Sequence, residues 1–237
     1  MTKFIKYLLL VALFLALSPM LSAQRFMGAV MGGMNISQVD GDLVVGYNRV
    51  GGHFGVAAIY PIKKKWDITL ETVYNQKGAR EKQQYTQIIV DSTVMPPDTT
   101  TYTGEYNLRL DYVEVPLMAH FTDKEKYSVG MGFSYGRLVK ATEIEHGGAV
   151  PPYSDTVAFN KNDWNILFDL QFRIWKNLKG NVRFAYSLAP IRERTYTDIF
   201  GYKDPWTRKQ YNHLFTFRLV YVFNDPYGRK KEPEPTE

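Results

Sequence analysis

Eight ionisable side chains share what strand parity makes an inward face: the carboxylates Glu71, Asp111, Glu114 and Asp169, and the guanidinium groups Arg109, Arg173, Arg183 and Arg218. Opposite charges at such spacing could pair, relay a proton or line a solute path. They could also act as an acid–base couple. The simplest chemistry is mutual neutralisation. A charge taken out of water needs a partner, and the planar fork of arginine matches a carboxylate. The other reactive types are thin. His53 and His120 fall on the inward parity, His146 in a loop and His213 near a rim, so no metal-ligand spacing emerges. There is no cysteine. No serine is read as the nucleophile of a Gly-x-Ser-x-Gly elbow, which needs a strand-to-helix turn. Gly130-Met131-Gly132 is not a phosphate cradle, because a strand runs through it where a helix would have to start. These residues indicate no cofactor and no catalytic set.

The elements that carry the charges follow a period of two. In Trp164 to Ile174 one parity reads Trp, Ile, Phe, Leu, Phe, Ile and the other Asn, Leu, Asp, Gln, Arg. Successive strand side chains point to opposite faces. One face is therefore as apolar as lipid while the other carries charge, the reverse of a soluble barrel and the pattern of a barrel in a bilayer. Eight strands are predicted: 25–37, 50–60, 66–78, 105–121, 127–141, 164–174, 181–191 and 211–223. In the fifth, Val129, Met131, Phe133 and Tyr135 alternate with Ser and Gly, and the small residues leave room for long side chains from opposite strands. The fourth switches its apolar parity beside Pro116, which predicts a bulge there. Connections alternate between short (61–65, 122–126, 176–180) and long (38–49, 79–104, 142–160, 192–210), as in outer-membrane barrels. The predicted fold is all-β, an eight-stranded antiparallel up-and-down transmembrane β-barrel. An interior of that size is only wide enough for side chains to fill, so the eight charges are expected to form a plug of ion pairs.

Aromatic residues collect at strand ends. Tyr60, Trp66, Phe121, Tyr127 and Phe223 are expected at one rim and Tyr74, Tyr106, Tyr135, Trp164 and Tyr211 at the other, as two interfacial girdles. The loop bearing Tyr196, Phe200, Tyr202 and Trp206 combines aromatics with Arg and Asp. It suits contact with a partner, or closure over the barrel mouth as a lid. Loop 79–104 is expected to be a solvated connection.

The chain ends bound the compartment. Lys3 and Lys6, an apolar run from Tyr7 to Leu17, and Leu21-Ser22-Ala23 before Gln24 predict a cleavable signal peptide over 1–23. The barrel would then span 24–223. A charged, Pro-rich periplasmic tail over 224–237 is expected to be disordered. Cleavage takes two lysines from a formal charge of +5, leaving +3, too mild and too scattered for nucleic acid. Both termini are expected in the periplasm of a cell with an outer membrane.

Three segments carry a family resemblance: Gly32-Gly33-Met34-Asn35-Ile36-Ser37, Tyr74-Asn75-Gln76-Lys77-Gly78-Ala79, and Leu110-Asp111-Tyr112-Val113-Glu114-Val115-Pro116-Leu117. With the Ser22-Ala23-Gln24 signal end, the chain resembles the PorT-like outer-membrane β-barrel family of Bacteroidota over nearly its whole mature length. The resemblance implies an integral barrel with no cofactor and no known catalytic residues. The family's namesake serves type IX secretion and gliding. The aromatic last strand resembles the signal read by the barrel assembly machinery, here followed by a tail. The resulting expectation is a non-enzymatic barrel with a structural or interaction role, accessory to type IX secretion or surface assembly. Its partners would be outer-membrane lipid, the assembly machinery during insertion, and other envelope proteins. The alternatives are a barrel enzyme acting on lipid or peptide, a narrow channel, and a soluble lipocalin-like barrel with the Trp164–Ile174 apolar face inside.

Overall fold

A computed structural model of the chain describes residues 26–91, 98–124, 126–144, 159–196 and 205–225, with backbone alone for 83–91 and 98–103. The expected signal peptide, His146, Phe200, Tyr202 and the tail beyond Asp225 lie outside the described residues. Among the described residues nine strands are present: β1 (Met27–Asp40), β2 (Arg49–Lys63), β3 (Trp66–Asp91), β4 (Asp98–Asp123), β5 (Tyr127–Ile144), β6 (Asn162–Trp175), β7 (Leu178–Ser187), β8 (Arg192–Tyr196) and β9 (Trp206–Val222). Eight of them close a ring. Neighbours pair antiparallel in the order β1 to β7 and then β9, and β9 returns to β1 over a register from Ala29↔Val222 to Asp40↔Tyr211. The short β8 stands outside the ring and pairs only with the start of β9, Trp206–Gln210. Closure leaves the eight-stranded ring without a free edge strand, the condition for a sheet to sit in hydrocarbon.

Parity sorts the side chains as a bilayer demands. Leu170 (61% exposed), Phe133 and Leu219 point outward, whereas Glu71, Asp169, Arg183 and Arg218 are buried in the interior. One end of the barrel carries the short turns and will be called the turn end; the other is the loop end. From the turn end upward the lumen alternates in character. An apolar floor of Ala29, Met31, Ala57, Ile59, Val220 and Val222 comes first. Above the charged level of Asp169 and Arg183 lies a thin apolar layer of Met118, Leu167, Ala185 and Leu214. A second polar level follows, and then an apolar cap of Val39, Val44, Ala79, Tyr106, Leu108, Leu110, Tyr112 and Ile191.

The fourth strand corrects two expectations. No bulge occurs beside Pro116; the even-numbered residues of β4 face inward from Tyr106 to His120. The irregularity lies higher, where Asp111 opposes Lys140 and Tyr112 opposes Leu138, leaving Val139 of β5 unpaired. What switches along β4 is the surroundings. Near the turn end the outward Val113, Val115 and Leu117 face lipid. Beyond the apolar band the outside is wet, so Tyr106, Leu108 and Leu110 turn their apolar bodies into the barrel. Tyr106, fully buried, is therefore core and not part of an outer girdle.

The segment 79–104 is also corrected. It is no irregular loop: β3 and β4 stay paired from Tyr85↔Gly104 to Asp91↔Asp98, past one register shift between Glu81 and Tyr85. Its Ile88-Ile89-Val90 and Thr99-Thr100-Thr101 runs are β-formers, which favours a projecting hairpin over a coil.

Candidate functional site

The central site is built on one carboxylate. Glu71, near the turn-end start of β3, accepts two guanidinium forks at once. Arg183 of β7 donates from Nη1 (2.8 Å) and Nη2 (2.9 Å), and Arg218 of β9 from Nη1 (2.9 Å) and Nη2 (3.0 Å). Asp169 of β6 takes the remaining edge of Arg183 through Nε (2.6 Å) and Nη2 (2.8 Å), and lies 3.4 Å from Arg218 Nη2. Two cations thus meet two anions in a closed cycle. Arg218 is held further by Asn181 Oδ1 (2.7 Å) and lies 3.2 Å from His53 Nε2. Gly33 makes room for it: a Cβ there would fall 2.1 Å from the Phe217 carbonyl oxygen and 2.6 Å from the Arg218 Cα. On the turn side His120 bridges two carboxylates, with Nε2 3.3 Å from Asp169 and Nδ1 3.3 Å from Asp67.

A second charged level lies above. Lys77 Nζ is 2.6 Å from Glu114 and 2.9 Å from Asp163, and it sits over the Tyr112 ring at 5.1 Å. Ser187 donates to Asp163 Oδ1 (2.7 Å), and Asn212 to Oδ2 (3.1 Å). Asn75 joins the levels. It donates to Glu114 Oε2 (3.1 Å), accepts from Asn35 and faces His53, while Asn35 Oδ1 accepts from Thr216. Charge-assisted contacts of this kind are the strong ones, and they are stronger away from water.

Of the eight sequence-derived charges, the structure brings together Glu71, Asp169, Arg183 and Arg218, and places Glu114 in the upper level. Three lie elsewhere. Arg109 and Asp111 pair with each other (2.9 Å) on the odd parity of β4, with the Arg109 side chain 43% exposed. They lie where β4 has left the lipid-facing band, so Arg109 can reach water while it covers the buried Asp111 carboxylate. Arg173 lies at the turn end, bonded to Asp225 at 2.9 Å. Lys77 and Asp163 escaped the sequence reading. Both continue the inward odd parity of their strands by one step, Lys77 beyond Asn75 and Asp163 before Asn165, so extending the parity would have found them. One string does spell the elbow pattern, Gly132-Phe133-Ser134-Tyr135-Gly136. It runs straight through β5, and Ser134 is buried in the lumen without a hydrogen-bond partner. No turn presents it as a nucleophile.

At the loop end, Arg192 of β8 grips Glu143 of β5 (2.7 and 2.8 Å) and Gln210 (2.9 Å), and stacks over the Phe159 ring at 4.1 Å. Burial raises the Glu143 carboxyl, but the Arg192 guanidinium outweighs it and holds Glu143 below its ordinary range. Asp42, in the β1–β2 connection, behaves oppositely. Burial pushes its carboxyl up to about 7, although the Val44 amide donates to it (2.9 Å). Tyr196 stacks on Trp206 (6.0 Å) and donates to the Gly41 carbonyl (3.2 Å), covering the barrel mouth.

The outward aromatics come in pairs: Trp66–Phe121 and Tyr221–Phe223 toward the turn end, Phe54–Tyr74 and Tyr135–Trp164 toward the loop end. Inside, a cavity of about 20 Å³ lies between the apolar floor and the ion-pair cycle, lined by Glu71, His120 and Arg218 among others. That is room for about one water molecule.

A closed antiparallel ring, apolar outside and ionised inside, defines an integral outer-membrane β-barrel protein. The family model for the outer membrane protein beta-barrel domain matches residues 22–193, and the chain belongs to that family. No curated protein matches the chain. Solved structures with similar folds include Ail, the attachment invasion locus protein of Yersinia pestis (13% identity over 83% of this chain and 98% of that one, TM-score 0.43). Others are Neisserial surface protein A (11%, 83% and 97%, 0.43) and OprG from Pseudomonas aeruginosa (10%, 84% and 96%, 0.44).

Proposed function

We propose that the protein is a non-enzymatic, non-conducting barrel that serves as a membrane pedestal for interaction at its loop end. The observation that carries this reading is the sealed lumen. Glu71, Asp169, Arg183 and Arg218 bridge four strands across the interior, next to a cavity sized for about one water. A solute path would need those bridges to open, and each opening would leave charges unpaired at bilayer depth. Arginine cannot give up its proton, so the cycle is poorly suited to acid–base work. The rim histidine supports the same view: His213 lies between Asp40 (3.1 Å) and the phenol of Tyr47 (3.0 Å), and among the described residues no serine or threonine hydroxyl is hydrogen-bonded to it.

What remains available for function is the projecting β3–β4 hairpin and the mouth covered by Tyr196 and Trp206. The PorT-like resemblance points the same way, toward an accessory of type IX secretion or surface assembly in a Bacteroidota envelope. In this reading the turns and both termini face the periplasm and the hairpin faces outward. Planar-bilayer recordings of the purified protein should show no conductance steps, and steady steps would overturn the sealed-lumen reading. Replacing 85–104 by a short turn should abolish crosslinking to envelope partners in cells while leaving heat-modifiable gel mobility intact. Unchanged crosslinking would remove the hairpin from the interaction.

A further inference from the structure

The three short turns of the described barrel share one device. Each carries a lysine whose ammonium rests on an outward aromatic ring: Lys65 over Phe121 (5.6 Å), Lys126 over Tyr127 (5.3 Å) and Lys176 over Trp175 (5.4 Å). The turn segments 62–65, 122–126 and 175–178 contain six lysines and two acids, Asp123 and Glu125. Each turn is also tied to the neighbouring turn or strand. The Thr122 amide donates to the Lys65 carbonyl (2.8 Å), Arg173 N–H to the Lys126 carbonyl (2.8 Å) and Val222 N–H to the Asn177 carbonyl (2.9 Å). The cations therefore stand on fixed turn backbones as a collar at the height where hydrocarbon ends, with Lys65 also paired to Asp123 (3.3 Å) and Lys126 and Lys176 on their rings. Amphipathic side chains at that height keep stem and ring in lipid while the charged head reaches the interface.

Next to one turn the outer wall has a groove. Gly32, Leu219 and Gly180 lie in one row across β1, β9 and β7, and the row above holds Met34, Phe217 and Val182. The Phe172 ring lies on Gly180, whose added Cβ would come within 2.4 Å of it, but nothing occupies the space above Gly32. The resulting depression of about 340 Å³ is almost wholly apolar. Its edge residue Ile174 leads directly into Trp175 and Lys176. An apolar slot that ends at a lysine on an aromatic ring matches a molecule with a long alkyl chain and an anionic head.

We propose that the turn end is a binding surface for anionic glycerophospholipid, with the phosphate at the lysine–aromatic collar, foremost Lys176, and an acyl chain in the Gly32 groove. The proposal needs the barrel to be embedded in a bilayer, but it does not depend on the interaction role or on which leaflet the turns face. The probes are phosphatidylglycerol and phosphatidylcholine, which share their chains and differ in net charge. Native mass spectrometry of the purified full chain with equimolar amounts of the two should show preferential retention of phosphatidylglycerol. A lysine near a lipid surface contributes a factor of about five, so Lys176→Gln should lower the preference by about that much. The same change at the loop-end residue Lys140 should leave it unaltered. Gly32→Leu, whose Cβ meets nothing within 4 Å and whose remaining atoms would extend into the groove, should reduce retention of both lipids alike. Equal retention of the two lipids by the native chain overturns the proposal, as does an equal effect of the Lys140 and Lys176 changes.

Discussion

Removing the Glu71 carboxylate is the sharpest perturbation of the interior. In Glu71→Ala four charge-assisted hydrogen bonds disappear, two from each of Arg183 and Arg218. Asp169 remains as the one anion facing two buried guanidinium groups, and neither can lose its proton. Breaking a buried pair in this way costs about 3–5 kcal/mol, because a charge is left uncompensated out of water. A compensating variant separates charge from shape. Glu71→Leu with Arg218→Leu leaves Arg183 and Asp169 as a balanced pair, so it should recover roughly half of that loss or more, replacing an ion pair by apolar packing. Urea titration of the barrel refolded in phospholipid vesicles gives the stability, followed by tryptophan fluorescence and the gel shift between folded and heated forms. If Glu71→Ala costs less than about 1 kcal/mol, or the double variant is no better than the single one, the carboxylate is not the hub of the interior.

Arg218→Leu should also destabilise the barrel, by about 3 kcal/mol or more, since Glu71 loses one fork and Asn181 its partner; unchanged heat-modifiability on a cold gel would contradict this. Gly78 has φ +139° and lies against the Leu108 carbonyl, so Gly78→Ala should cost about 1–3 kcal/mol in the same titration, and a neutral result would show that β3 can relax there. Asp42 gives a pH dependence. Burial raises its folded-state value from 3.8 to about 7, so the folded chain holds that proton more tightly than the unfolded one. The stabilisation is complete below the ordinary value of 3.8 and is lost as pH rises through about 7. Asp42→Asn, neutral throughout, should melt above the native chain at about pH 8 and close to it at about pH 4; equal melting at both refutes the burial effect.

The wall was more legible in the chain than the lumen. Period-two alternation is a local signal, and in segments such as Trp164–Ile174 and Tyr127–Tyr135 it sets strand and face together. The same signal misled at β4. Parity records which side is apolar, not which side is inside, and the two come apart once a strand leaves lipid for water. The Tyr106, Leu108 and Leu110 face therefore read as a bulge near Pro116, and Arg109 and Asp111 were assigned to the lumen. Segment 79–104 is illegible for another reason: its β-forming residues lack a clean alternation, and cross-strand pairing rather than pattern holds them extended. Partnership inside the barrel is non-local. That Glu71 meets Arg183 and Arg218 depends on strand stagger, which no single segment encodes. Lys77 and Asp163 both follow the inward parity: Lys77 lies inside the expected strand 66–78, and Asp163 stands one residue before the expected start at Trp164.

The central claim is that bulky apolar side chains face hydrocarbon while the ionised ones are enclosed. The chain has no cysteine, so single cysteines can be introduced without background and spin-labelled in vesicles. Labels scanned along β6 from Asn165 to Phe172 should alternate: oxygen, which partitions into lipid, should reach Ile166, Phe168, Leu170 and Phe172, and a water-soluble nickel chelate should not. A label on β6 that nickel reaches at Leu170 and oxygen does not, or accessibility without a period of two, would contradict the account.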